Sequence, residues 1–201
     1  MPSPLSLRKN RHRLPRLPSG KKFPPLLALT EENFLPRPWE HLPRYPTQSA
    51  ILYRHYTLPY PDEGFARLAH RARQTAIPLL AGWRRYLPPA HLIQGIHIPE
   101  HALPKLTFLR RRYPRHVFSA AAHGFQSFRR AGMHPPDIWL VSPVFVTRSH
   151  PDARSLGILR FTVLCRKATA PVYALGGIAP ANGNRLKRSG YAGMAGISQF
   201  W

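Results

Sequence analysis

Residues 171–197 read PVYALGGIAPANGNRLKRSGYAGMAGI. An apolar run at 171–175 gives way to Gly176-Gly177. Pro180 then opens a segment at 181–189 that reads as a helix and stops at Gly190, before a second run of small and apolar residues at 192–197. Strand, helix and strand in that order form one βαβ unit. Such a unit closes only with a right-handed crossover and parallel strands.

Working back from this unit, short apolar runs recur at 26–29, 50–53, 77–81, 95–98, 116–120 and 138–141. Each has the length of a buried strand, and several lack polar alternation, as strands covered on both faces do. Helical patterns fall between some of them. Residues 64–75 place Phe65, Leu68, Ala69 and Ala72 on one face, and 104–113, 125–131 and 153–167 are further helix candidates. Eight strands with intervening helices predict an α/β fold of the (β/α)8 TIM-barrel class. The span after residue 25 allows about 22 residues for each unit, so the barrel is expected to be compact, with a truncated last helix. A doubly wound open sheet is the structural alternative, but it calls for a GxGxxG turn after an early strand, and the chain has none.

The chain has 201 residues and a net charge of +22, with 30 Lys and Arg against eight Asp and Glu. That length buries one full core. The single cysteine, Cys165, excludes an internal disulfide, and no CxxC metal spacing occurs. No apolar run reaches 18 residues, so no transmembrane helix or membrane partner is expected. Residues 1–22 are basic and carry four prolines, which argues against an amphipathic transit helix. They read as a disordered basic tail on a single barrel domain, 23–201, of a cytoplasmic protein. The positive charge alone suggests a polyanion, yet it is mostly Arg spread along the chain, with no recognisable nucleic-acid-reading element. Nucleic acid is therefore not the expected partner, although a basic nucleic-acid-binding protein stays open as an alternative.

Function in such a barrel sits at the C-terminal ends of the strands. Loops after strands seven and eight commonly seat a phosphate there, which nominates Gly176 and Gly177 together with Gly196, Ile197 and Ser198. A tight structural turn explains the same glycines equally simply. After strand six, Thr147, Arg148, Ser149 and His150 form a loop rich in donors for a phosphate or pyrophosphate, or an ordinary solvent loop. His123, preceded by three alanines, is suited to acid or base work by its ordinary pKa.

The ordered series of these stretches resembles the thiamine phosphate synthase and TenI family. It is carried by SPVFVTRSHP (142–151) and by the stretch quoted first, and more weakly by LALTEEN (27–33), ILYRHY (51–56), QGIHIPEHAL (94–103) and AAAH (120–123). The resemblance implies a transferase of thiamine biosynthesis. It couples hydroxymethylpyrimidine pyrophosphate to thiazole phosphate, releases pyrophosphate, and uses Mg2+ held by two aspartates. A TenI-like thiazole tautomerase, or a non-catalytic thiazole-phosphate-binding relative, is the alternative within the family.

Carried over residue by residue, Arg54 matches the pyrophosphate arginine. Thr147 matches the motif threonine, and His150 falls near a pyrophosphate lysine. Gly176 and Gly177 match the thiazole-phosphate glycines, and His123 matches the tautomerase histidine. The chain departs from the pattern elsewhere. Leu52, His55 and Tyr56 replace Gln, Glu and Lys, and Trp83 and Ala102 stand where the metal aspartates are expected. Glu100 is then the nearest carboxylate for a metal. The candidate catalytic set is His123, Arg54 and His150, with Thr147, Ser149, Gly176, Gly177, Gly196, Ile197 and Ser198 on the substrate phosphates.

Overall fold

The computed structural model describes residues 13–30, 40, 48–55, 62–84, 86–147 and 154–196. Each short apolar run becomes a strand: β1 Leu26–Leu29, β2 Ser49–Tyr53, β3 Leu79–Gly82, β4 Gly95–Ile98, β5 Val117–Ala122, β6 Ile138–Val141, β7 Val172–Leu175 and β8 Gly193–Gly196. Every neighbour pairs in parallel, and β8 closes on β1, with Leu27 opposite Ala195. The α/β barrel is therefore as expected.

Alternation divides the strand side chains between two cores. Leu27, Leu29, Ala50, Leu52, Leu80, Val117, Ile138, Leu140 and Tyr173 point inward and fill the barrel. Ile51, Tyr53, Leu79, Ala81, Ile96, Phe118, Trp139 and Val172 point outward against the helices. Inward crowding also fixes where glycine is needed. A Cβ on Gly193 would lie 2.6 Å from the Tyr173 ring and closer still to the Pro25 carbonyl.

Helix α1, Glu63–Gln74, buries Phe65, Leu68, Ala69 and Ala72, the face read from the sequence. Asp62 caps it by accepting from the Phe65 amide at 2.7 Å and from the Tyr53 hydroxyl at 2.6 Å, which ties the helix to the end of β2. Ile77 was expected to begin β3. Its amide instead bonds to the Ala72 carbonyl, and Ala76 adopts a positive φ of 53°, so the strand starts at Leu79. Between β3 and β4 there is only a 3₁₀ turn, Ala90–Leu92, because Pro88 and Pro89 stop an α-helix from starting earlier. A 3₁₀ turn at Glu100–Lys105 leads into α2, Leu106–Arg112. Helix α3 covers Phe125–Arg130 and α4 covers Gly157–Lys167. Helix α4 starts four residues later than expected because the Leu156 and Gly157 amides bond to Pro143 and Val144 carbonyls. The last crossover is one short turn, α5 Pro180–Gly183, continued by a 3₁₀ turn at Asn184–Leu186.

The expected tail boundary at residue 22 is corrected. Residues 13–22 pack on the barrel. Arg16 and Lys22 pair antiparallel, the Phe23 amide bonds to the Pro15 carbonyl at 2.8 Å, and Gly20 turns the chain at φ 79°. The hairpin carries Leu17 into the inner core beside Phe23, which meets the Tyr173 ring edge-on at 6.1 Å. Tyr173 donates its hydroxyl to the Pro24 carbonyl at 2.6 Å. Composition hid this plug because three apolar side chains, Leu14, Leu17 and Phe23, are diluted among arginines and lysines. Residues 1–12 lie outside the described residues. Among those described, no helix is long and apolar enough to cross a membrane.

Candidate active site

At the opposite end, inward-facing positions run out of apolar side chains. Beyond Leu52, two residues on, Arg54 enters the mouth of the barrel. Its amide is fixed by the buried Thr30 hydroxyl at 3.0 Å. Beyond Gly95, two residues on, comes His97, buried to 4% exposure on the floor of the mouth. Arg54, His97, Glu100, His123, Arg130 and Ser142 line a cavity of about 430 Å³. Three of the residues nominated from sequence, Arg54, Glu100 and His123, are thus brought together.

His97 and Ser119 hydrogen-bond through Nδ1 and Oγ at 3.0 Å. Burial first, and the neighbouring Arg54 charge second, push the His97 pKa down to about 3, so this imidazole is neutral at ordinary pH. His123 is more exposed. Its Nδ1 lies 2.8 Å from the Ser142 carbonyl, which makes Nδ1 the donor. Its Nε2 points toward Glu100 Oε2 at 3.8 Å. Glu100 Oε1 accepts from Ser127 at 2.9 Å and faces Arg130 at 3.5 Å.

That arrangement does not fit Glu100 to a Mg2+ site. The carboxylate is surrounded by hydrogen-bond donors and a guanidinium, whereas a hard cation needs several oxygen ligands. Trp83 offers no oxygen. The Ala102 side chain is buried in the outer core, so that position does not face the mouth at all. Among the described residues, no three His, Cys, Asp or Glu side chains are grouped to hold a metal ion.

The glycine pair after β7 has a packing cause. Gly176 and Gly177 have φ of 94° and 64°. A Cβ on Gly176 would lie 3.0 Å from Pro143 and 3.1 Å from the Thr147 methyl. One on Gly177 would lie 2.8 Å from the Phe145 backbone and collide with the Val146 carbonyl. The loop after β6 therefore lies directly on the glycine turn, clasped by the Phe145 amide on the Gly176 carbonyl at 3.1 Å. Asn182 closes the turn from the other side through the Gly177 carbonyl at 2.7 Å. Thr147 joins this cluster, and Gly196 ends β8 opposite Ala28. Ser149, His150, Ile197 and Ser198 lie outside the described residues.

Sequence reasoning missed His97, Ser119, Ser127 and Arg130 as site residues. The period of two inward from Gly95 was the signal for His97. Nothing in the sequence marks Arg130, which reaches Glu100 from the end of α3.

Comparison with known proteins agrees with this architecture. The family model described as thiamine monophosphate synthase, TMP-TENI, matches residues 61–200. A putative thiamine-phosphate synthase 2 of Aquifex aeolicus is 35% identical over 106 residues, 53% of this chain and 56% of that protein. A thiamine-phosphate synthase of Chloroflexus aurantiacus is 27% identical over 127 residues, 63% of this chain and 58% of that protein. The chain thus spans somewhat more than half the length of these relatives. Among solved structures, a thiamine phosphate pyrophosphorylase from Pyrococcus furiosus superposes with a TM-score of 0.70 at 20% identity. The match covers 86% of this chain and 85% of that one and establishes likeness of fold. With a family model covering most of its length and a closed barrel beneath it, the chain belongs to the thiamine monophosphate synthase family.

Proposed function

We propose that this protein is a transferase of thiamine-phosphate synthase type, acting in the cytoplasm on small phosphorylated substrates. In the proposed reaction the thiazole nitrogen of thiazole phosphate attacks the methylene carbon of hydroxymethylpyrimidine pyrophosphate. The new C–N bond forms as the C–O bond breaks, and pyrophosphate departs with that electron pair. Arg54 carries the reading. It is the position that matches the family's pyrophosphate contact, its backbone is fixed by Thr30, and its side chain lines the cavity. A guanidinium there offers a charge-assisted fork to the diphosphate. His150 and Ser149 are proposed to join it. Gly176, Gly177 and Thr147, with Gly196, Ile197 and Ser198, are proposed to receive the thiazole phosphate through backbone amides.

One observation supports a second reading. His123 presents Nε2 beside Glu100 with Nδ1 committed to the Ser142 carbonyl, an arrangement suited to moving a proton, as thiazole tautomerisation requires. A synthase assay with both substrates, run beside a tautomerisation assay on the same preparation, tests the proposal. Turnover to thiamine phosphate that falls in Arg54→Met supports the transferase. Tautomerisation alone, lost in His123→Ala, transfers the site to the second reading.

A further inference from the structure

The two strand ends at which a divalent cation would be held carry a cation belonging to the chain itself. Trp83 directly follows β3, its amide bonded to the His97 carbonyl at 2.6 Å, so the indole stands at the rim between β3 and β4. The Lys105 ammonium lies over that indole, 4.7 Å from the ring centroid. Lys105 ends the same 3₁₀ turn that carries Glu100 and the buried Ala102. A tryptophan in place of an aspartate therefore does more than remove an oxygen ligand. Its π-face is attractive to a cation and gives the ammonium a fixed resting place at the rim.

Inside the mouth, Arg54 and Arg130 add two permanent positive charges, and the sole carboxylate among the described lining residues, Glu100, is already opposed by Arg130. We propose that this mouth binds a diphosphate or phosphate monoester without a divalent cation, with Lys105, seated on Trp83, and Arg54 supplying the positive charge. The inference rests on the reading of the mouth as a phosphorylated-substrate site, and it assigns Lys105 a binding role that neither the sequence pattern nor the family match marks out.

The test is calorimetric titration of inorganic pyrophosphate into the full chain, in EDTA and again with excess Mg2+. A site that uses its own cations takes the free anion. Affinity should then be equal or weaker in Mg2+, because the metal neutralises part of the ligand's charge in solution. Lys105→Met should weaken binding in EDTA by about fivefold, and Lys105→Arg should keep most of it. Lys105 is exposed, so both variants should melt as the parent does, and a melt run alongside confirms it. Trp83→Asp should weaken the metal-free titration and make Mg2+ favourable.

Binding at least about tenfold tighter in Mg2+ for the parent chain overturns the proposal. An unchanged affinity in Lys105→Met also overturns it. Absence of binding in both buffers does so too, and the synthase assay then judges the transferase reading separately.

Discussion

At the N-terminal end of the barrel, Leu17, Phe23 and Tyr173 fill the space between the strands. At the C-terminal end the same strands deliver Arg54, His97 and Ser119 into a cavity of about 430 Å³. One end is explained completely by packing: its polar atoms are consumed locally, as the Tyr173 hydroxyl is by Pro24. The other end keeps two guanidiniums and three imidazoles around one carboxylate, an excess of charge and donors that packing does not require. The contrast separates residues that make the barrel from residues that await a ligand, and it can be broken from either side.

The largest effect is expected at the closed end. Phe23→Ala removes a fully buried ring from the inner core and should cost about 3–5 kcal/mol of stability, read by chemical denaturation. Deleting residues 13–22 should also lower the midpoint, through loss of Leu17. An unchanged midpoint in both would show that the hairpin is incidental.

Next comes Gly177→Val, at the open end. If the glycine serves only an anion, this variant folds normally and binds phosphate poorly. The geometry instead places the new side chain against Phe145 and Val146 and strains a positive φ, so a loss of about 1–3 kcal/mol of stability is expected with any loss of binding. A normal melt with abolished phosphate binding would return this turn to the ligand side of the comparison. Smaller again is Arg54→Met. It should leave the melt within a few degrees of the parent and weaken pyrophosphate binding about tenfold, or 1.4 kcal/mol. Equal affinity would remove Arg54 from the site.

The barrel was legible in the sequence because strands buried on both faces must be short unbroken apolar runs, and Ile138–Val141 and Leu26–Leu29 are simply that. Boundaries failed where a local bond overrode composition, as at Ile77, whose amide is held by α1. The plug failed for a different reason. Its energy comes from side chains inserted into a core that only the closed barrel creates. Within the site, Arg54, His123 and the glycine turn were found through motif position. Arg130 and Lys105 were not, because their roles depend on contacts made across crossovers, to Glu100 and to Trp83.

The smallest predicted effect is also the most specific to the open end. His97 is held neutral in the folded chain, with its pKa down at about 3 against an ordinary value of 6.5, by burial first and by Arg54 second. Below pH 6.5 the unfolded chain binds a proton there that the folded chain refuses. The contribution is therefore fully present above pH 6.5 and is lost as pH falls through the window down to about 3. Between pH 7 and pH 6 the loss from this one group should be about 0.7 kcal/mol, steepening toward about 1.4 kcal/mol per unit below that. His97→Gln lowers stability at every pH but should remove this part of the slope, so the readout is the difference in slope between parent and variant. Arg54→Met should raise the lower edge of the window while leaving its upper edge in place, because the charge is lost and the burial is not. Glu100 across the mouth, with Arg130 and His123, is common to all three proteins and cancels in the comparison. Parallel slopes for parent and His97→Gln would mean that water or a proton reaches His97 in the folded state, and that the floor of the mouth is not the sealed boundary between the two ends.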